Sequence, residues 1–476
     1  MAEDIRPRPW SGPLVWTILA ATGALGGCST YRAQPLATEA VNAALQPPPI
    51  ESVKIAAAQF RHPILQPIVI DGRDGYTPDE IAVMVVLASP ELRALRDQRG
   101  VAEAQVLQAG ILPNPQLAYG LDNPHGLNSA ATAAAAGSSG LVVAKSLGLS
   151  WDVTSLLGHS DQVAAARAAA KSVDLSVAWQ EWQASQDARL RAFRILSLEQ
   201  RLPLAREIEA DLADTLALTR KAAGLGYKTA TDLTLAADAW RQAEENRFDL
   251  ETQLASERAT MRLALGLPPD APLQLKAAAD FPELPPGTGA AAASLLDGME
   301  DRRLDLLALR YGYESEDATL RAAVKAQFPK INLGINKAND TTPVYTRGWS
   351  IAVDMPLFDR NQGQIAIGRT TRQQLFDEYV ARVAEARSQV GELIEELAAA
   401  RTEMRDAAAS VPALQQLVQS LDTAMQSRDA DLASYRDARG ALATRQMEEA
   451  QLRQQVLELG VALEIATGRP LLNRIP

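Results

Sequence analysis

The chain runs to 476 residues, 47% apolar but only 5% aromatic, with a net charge of −11. The acidic balance excludes a nucleic-acid surface, and the alanine-rich, aromatic-poor mix favours long, closely packed helices over a large globular core. Only three histidines occur, His62, His125 and His159, and no HExxH, CxxC or phosphate-loop pattern is present. The sequence therefore offers no metal site, no cofactor motif and no acid–base constellation for an enzyme.

At the N-terminus, Leu14–Leu25 is a twelve-residue apolar run, too short to span a bilayer comfortably and of the length of a signal-peptide core. Leu25-Gly26-Gly27-Cys28 then sets small residues before the chain's one cysteine. This resembles a bacterial lipobox. The resemblance implies a signal peptide over 1–27, cleavage before Cys28 and a diacylglycerol on its thiol, and Ser29 suits the outer membrane. A buried cysteine after a short core helix is the plainer alternative. Residues 28–75, with Gln46-Pro-Pro-Pro49, Pro63 and Pro67, read as an extended, lipid-anchored tether.

Two long repeats follow, over 76–275 and 301–468, with a linker at 276–300 and a tail at 469–476. Residues 89–117 align without gaps on 303–331 at an offset of 214: Leu92, Ala94, Leu95 and Arg96 fall on Leu306, Ala308, Leu309 and Arg310, and Pro115 on Pro329. The unit is too long for a solenoid repeat, so each repeat is a duplicated half: helix, strand pair, long helix, turn, long helix. The strands alternate cleanly. Leu117, Tyr119 and Leu121, then Leu147, Leu149, Trp151 and Val153, interleave with small or polar residues; Ile331, Leu333 and Ile335, then Trp349, Ile351, Val353 and Met355, do the same. A half-buried soluble sheet and a transmembrane barrel wall both read this way; the lipobox favours the barrel.

From Asp161 to Arg220 about 60 residues are helical in pattern, roughly 90 Å of helix. Pro203 is expected to kink or break this run and Pro412 its counterpart. Gly226 and Gly440, again 214 apart, are expected to mark the two helix turns, each with an alanine ten residues on. Leu233, Ala236, Trp240, Ala243, Leu250 and Leu254 form a seam that Arg247 interrupts. The last helix carries two seams, Met447, Ala450, Leu457, Val461 and Leu452, Val456, Leu459, Leu463, and so packs on both flanks. Four strands cannot close a barrel, since membrane barrels need about eight or more, and open edges in lipid leave costly unpaired backbone groups. If these strands enter a membrane, several copies must share one barrel.

Taken together, the duplicated halves, Asn114-Pro115-Gln116-Leu117, its counterpart Phe328-Pro329-Lys330-Ile331, Pro356–Gly363 and the glycine turns resemble the outer-membrane efflux protein (TolC-like) family over about residues 77–468. The resemblance implies a mainly α fold with a membrane β-barrel portion. In it, long coiled-coil helices form an α-helical barrel, and four strands per protomer complete a twelve-stranded barrel in a homotrimer. It implies an exit duct in outer-membrane lipid that meets a periplasmic adaptor protein and an inner-membrane pump of RND type. Phe358–Gly363 is similar to the heavy-metal branch.

At the tip, Gly224, Leu225, Gly226, Thr229, Asp232 and Gly440 become candidates for adaptor docking, with Asp232 six after its glycine as in the family. Gln446 and Glu449, six and nine after Gly440, stand where some members place pore-facing aspartates. Three copies of Glu449 would favour cations there. Asp437 stands where some members have a latch tyrosine. Helix capping for Asp232 and a plain solvated face for Glu449 are the simpler readings. A type I protein secretion outlet and a non-channel periplasmic coiled-coil lipoprotein are the rival functions.

Overall fold

The computed structural model describes residues 31–123, 143–276, 294–341, 344–427 and 431–471; Cys28, the expected signal peptide and His125 lie outside them. The chain divides into two compact units, residues 1–46 and 47–476. In the first, helix α1 (Thr38–Ala44) buries none of its residues. The second holds everything else.

The expected extended tether holds helix α1 and, from Ile50 onward, segments packed into the core. Helix α2 (Ile50–Ala58) buries Val53 and Ala57, which join Ile70 in a core with the long helices. The three prolines at 47–49 lie just before this helix, with Pro49 at its N-cap, so they interrupt none of its backbone bonds, and a segment rich in helix breakers still supplies a packed helix. Helix α3 (Pro78–Ala88) opens on a capping box: Glu80 N–H donates to Thr77 Oγ1 at 3.2 Å and Thr77 N–H donates to the Glu80 carboxylate at 2.7 Å. It is buried almost throughout. Helix α4 (Pro90–Gly110) leads to strands β1 (Gln116–Asp122) and β2 (Ala144–Asp152).

The first helical hairpin is α5 (Ser155–Gly224, 70 residues) and α6 (Ala230–Ala264, 35 residues). The second half repeats the plan: α7 (Leu304–Lys325), β3 (Lys330–Asn339), β4 (Tyr345–Asp354), α8 (Gln362–Ser427, 66 residues) and α9 (Leu432–Thr467, 36 residues). Pro203 and Pro412 break neither helix. Both are exposed, and the solvent side is where a long helix tolerates a missing backbone bond.

Among the described residues, core side chains fall into four groups. Ile81, Val85, Ile195, Leu250, Leu254 and Met261 pack α3, α5 and α6, confirming the lower half of the seam around Arg247. Leu306, Val390, Leu397, Val456 and Leu463 pack α7, α8 and α9. Trp179 and Trp182 of α5 meet Leu304 and Ala308 of α7, and Phe193 of α5 meets Leu457 and Val461 of α9. The two seams of α9 thus face different partners, as their spacing requires.

The offset between halves does not stay at 214. It holds through β1 and β3, which start at Gln116 and Lys330. After the strand loops it becomes 202: Asp152 and Asp354 end the paired strands, Thr229 and Asp431 cap α6 and α9, and Gly266 and Gly468 follow the helices with φ of +65° and +68°. The second turn therefore lies between Ser427 and Leu432. Gly440, expected at that turn, is an interior residue of α9.

Candidate functional site

The four strands form one antiparallel sheet in the order β1-β2-β3-β4. Register follows the alternation: Leu117 lies opposite Leu149, Leu149 opposite Ile335, and Ile335 opposite Trp349. These four make one apolar row across the sheet, with Trp151, Leu333 and Ile351 in the next. This face is uncovered. Leu117 is 71% exposed and Trp349 78%. The opposite face carries Gly120, Gly148, Gly334, Ser146, Ser150 and Ser350, with Asp122, Asp152 and Asp354. Among the described residues, β1 and β4 each pair on one side only, leaving two free edges. The base of the sheet is tied to the helices. Trp151 Nε1 donates to the Pro113 carbonyl at 2.8 Å, and Thr154 Oγ1 accepts from Ile331 N–H at 2.6 Å. Among the described residues no helix is long and apolar enough to cross a membrane.

Beyond β4, Phe358–Gly363 is a tight turn. Asn361 has φ +60°, its N–H donates to Asp359 at 2.8 Å, and its side-chain amide donates to the Ala323 carbonyl at 2.8 Å. Asparagine tolerates this left-handed backbone better than any branched residue.

At the end of the first helical hairpin the sequence expectation holds. Gly226 has φ +81°, and Tyr227 N–H donates to the Ala222 carbonyl at 2.9 Å, closing α5 with a left-handed cap. Thr229 then caps α6. Asp232 N–H donates to Thr229 Oγ1 at 3.1 Å, while Asp232 accepts from the Thr229 N–H and hydroxyl, both at 2.8 Å. These bonds hold the Asp232 carboxyl below the usual range, so Asp232 serves as a helix cap. Gly224, Leu225 and Tyr227 remain exposed, Leu225 at 73% and Tyr227 at 81%.

The second hairpin closes differently. Asp431 accepts from Ser434 N–H at 2.8 Å and its hydroxyl at 3.0 Å. Gln446 and Glu449 are partly exposed on α9, and Glu449 accepts from Arg453 at 3.0 Å, which offsets part of its charge. Asp437 is exposed but stands nine residues before Gln446, about half a turn round the helix. The structure does not bring Asp437 together with the other two.

What joins the two hairpins near this end is an ion-pair cluster that sequence reasoning missed. Arg436 of α9 lies 2.7 Å from Asp214 of α5. Arg439 Nε donates to Glu207 at 3.0 Å, and its Nη1 lies 3.6 Å from Asp211. The Arg439 guanidinium also sits 5.7 Å from the Tyr435 ring. Burial pushes the Asp211 carboxyl up against the pull of Arg439. Arginines three apart facing acids three and four apart were the available signal.

A scan against protein-family models finds no match to this chain, and a search of curated proteins finds none either. Solved structures do match. The fold resembles CusC, described with transmembrane channel formation, at 16% identity and a TM-score of 0.63 over 83% of this chain and 92% of that one. It resembles the outer membrane channel CmeC of Campylobacter jejuni at 11% identity and 0.65 over 93% and 95%. The outer membrane protein VceC of Vibrio cholerae matches at 15% and 0.62 over 83% and 96%. The chain has the fold of TolC-like outer-membrane efflux channels.

Proposed function

We propose that the protein is the passive outer-membrane exit duct of a tripartite efflux system. One observation carries this reading: a four-stranded sheet with a largely exposed apolar face and two edges unpaired among the described residues stands on long helical hairpins. In water that face is a large penalty and the edges invite aggregation. In lipid the face is solvated, and closure of three copies edge to edge, β1 of one on β4 of the next, pairs every strand. The small and acidic face then lines a wet lumen, and the helices continue the conduit into the periplasm. No bond chemistry is performed; energy comes from a partner pump of RND type. The exposed Gly224–Tyr227 turn is the surface offered to a periplasmic adaptor. Cys28, lipidated, anchors the chain to the same membrane. The similarity of Phe358–Gly363 to the heavy-metal branch makes metal ions the first cargo to test.

The test is purification in detergent followed by planar-bilayer recording. A heat-resistant trimer on detergent gels with stepwise ion conductance is expected. A monomer that inserts nothing and conducts nothing would mean a periplasmic coiled-coil lipoprotein instead.

A further inference from the structure

The uncovered sheet face is not apolar to its end. Towards the strand loops it carries Lys145, Lys337 and Arg347, all exposed. Lys337 pairs directly with Arg347 across β3 and β4. Lys145 pairs with Asn339, one diagonal step from Lys337, about 7–8 Å away. Like charges set opposite each other cost stability, and among the described residues none of the three is in an ion pair. Every strand residue sharing this face is apolar, aromatic, asparagine or basic; the aspartates Asp122, Asp152 and Asp354 all point the other way. The cations are therefore unneutralised on the side that the proposed function turns towards lipid.

Their height on the sheet is specific. Arg347 and Met355, the latter just past the end of β4, bound the exposed apolar stretch, eight residue steps or about 27 Å along the strand. At a 40° tilt that is about 21 Å of height, close to the apolar band of about 25 Å of outer-membrane barrels. Tyr345 and Trp349, each 78% exposed, flank Arg347 on this face, the aromatic setting of a headgroup boundary. The loop end faces away from the helices, hence outwards if the helices are periplasmic.

We infer that Lys145, Lys337 and Arg347 form a docking site for the phosphorylated headgroup of an outer-leaflet lipid, the Lys337–Arg347 pair clamping a phosphate and Lys145 extending the site along the barrel surface. This rests on the outer-membrane reading above. A phosphate monoester supplies close to two negative charges and three acceptors, which relieves the Lys337–Arg347 repulsion and satisfies donors that the sheet leaves free.

The experiment uses the full-length protein in detergent, with lipid retention followed by native mass spectrometry. The probes are a bis-phosphorylated acylated glucosamine lipid (lipid A) and its dephosphorylated form. The wild type is expected to retain the phosphorylated lipid selectively, and inorganic phosphate in excess over the lipid is expected to leave retention unchanged. The triple variant K145Q/K337Q/R347Q should lose about a hundredfold in apparent affinity, roughly fivefold per cation. Planar-bilayer conductance of the same variant separates the two readings: a conducting variant that retains lipid A as well as wild type overturns the site alone, while a wild type that neither conducts nor inserts overturns the channel. Equal retention of both lipids, or displacement by inorganic phosphate, also overturns the site.

Discussion

Arg436 and Arg439 tie α9 to α5 near the turns, and the structure sets how much that tie holds. Both arginines reach carboxylates across the hairpins at 2.7 and 3.0 Å. The side chains are partly exposed: Arg439 at 30%, Glu207 at 39%, Arg436 at 17% and Asp214 at 65%. Each pair is therefore worth the ordinary surface figure of about 0.2–1 kcal/mol, not the value of a buried pair. With Asp211 shared between them, the double variant R436A/R439A should free about 1–2 kcal/mol per protomer. If opening separates α9 from α5, that is roughly a tenfold rise in the open-to-closed ratio per protomer, and more in a trimer that opens in concert. Single-channel recording measures it as open probability. The charge swap Glu207→Arg with Arg439→Glu should restore closure in part. Wild-type open probability in R436A/R439A, with normal insertion, would refute the view that these pairs hold the tip shut.

Two further outcomes concern stability. Arg189 lies 2.7 Å from Glu464, whose side chain is wholly buried, and 2.9 Å from Asp79; Arg189→Met should cost about 3–5 kcal/mol, because it leaves Glu464 buried without its cation. Chemical denaturation checks this, and adding Glu464→Met should recover part of the loss. His62 is held neutral by burial, which lowers its pKa; its Nδ1 accepts from Ile64 and Leu65 N–H at 3.1 and 3.0 Å and its Nε2 donates to the Ala178 carbonyl at 2.9 Å. Since the folded pKa lies below the unfolded one, this contribution is full above about pH 6.5 and is lost as pH falls from there towards the folded value. His62→Gln should flatten the fall in melting temperature between about pH 7 and 5; an unchanged slope would assign that fall to other groups.

The strands were legible because a period of two survives whichever medium the face meets: Leu117, Leu149, Ile335 and Trp349 share one side in water or lipid alike. The α9 seams were legible for the same reason at helical spacing, and Val456 and Leu457 went to different cores as read. The second turn was not legible from Gly440, because the offset of 214 ends at the strand loops and is 202 beyond them. The loops themselves held the correction, since the first is longer than the second. The Pro47–Pro49 run hid α2, whose burial depends on Val53 and Ala57 meeting helices far along the chain. The Arg436 and Arg439 pairs lie 222 and 232 residues from their partners, so the spacing of arginines and acids along each helix was readable but not which helix faces which.

The change of offset has a consequence for length. From the last paired strand residue to the helix cap, and from the cap to the closing glycine, the two halves have the same residue counts (229 − 152 and 431 − 354, 77 each; 266 − 229 and 468 − 431, 37 each). All the difference between the halves is taken up between the strands. One inserted residue in a single helical arm would lift that turn by about 1.5 Å and swing its face by about 100°. Such a change would misalign one leg of the duplicate against the other. The arms therefore behave as a matched pair of rulers, and surgery on the chain belongs in the strand loops, where its length already differs.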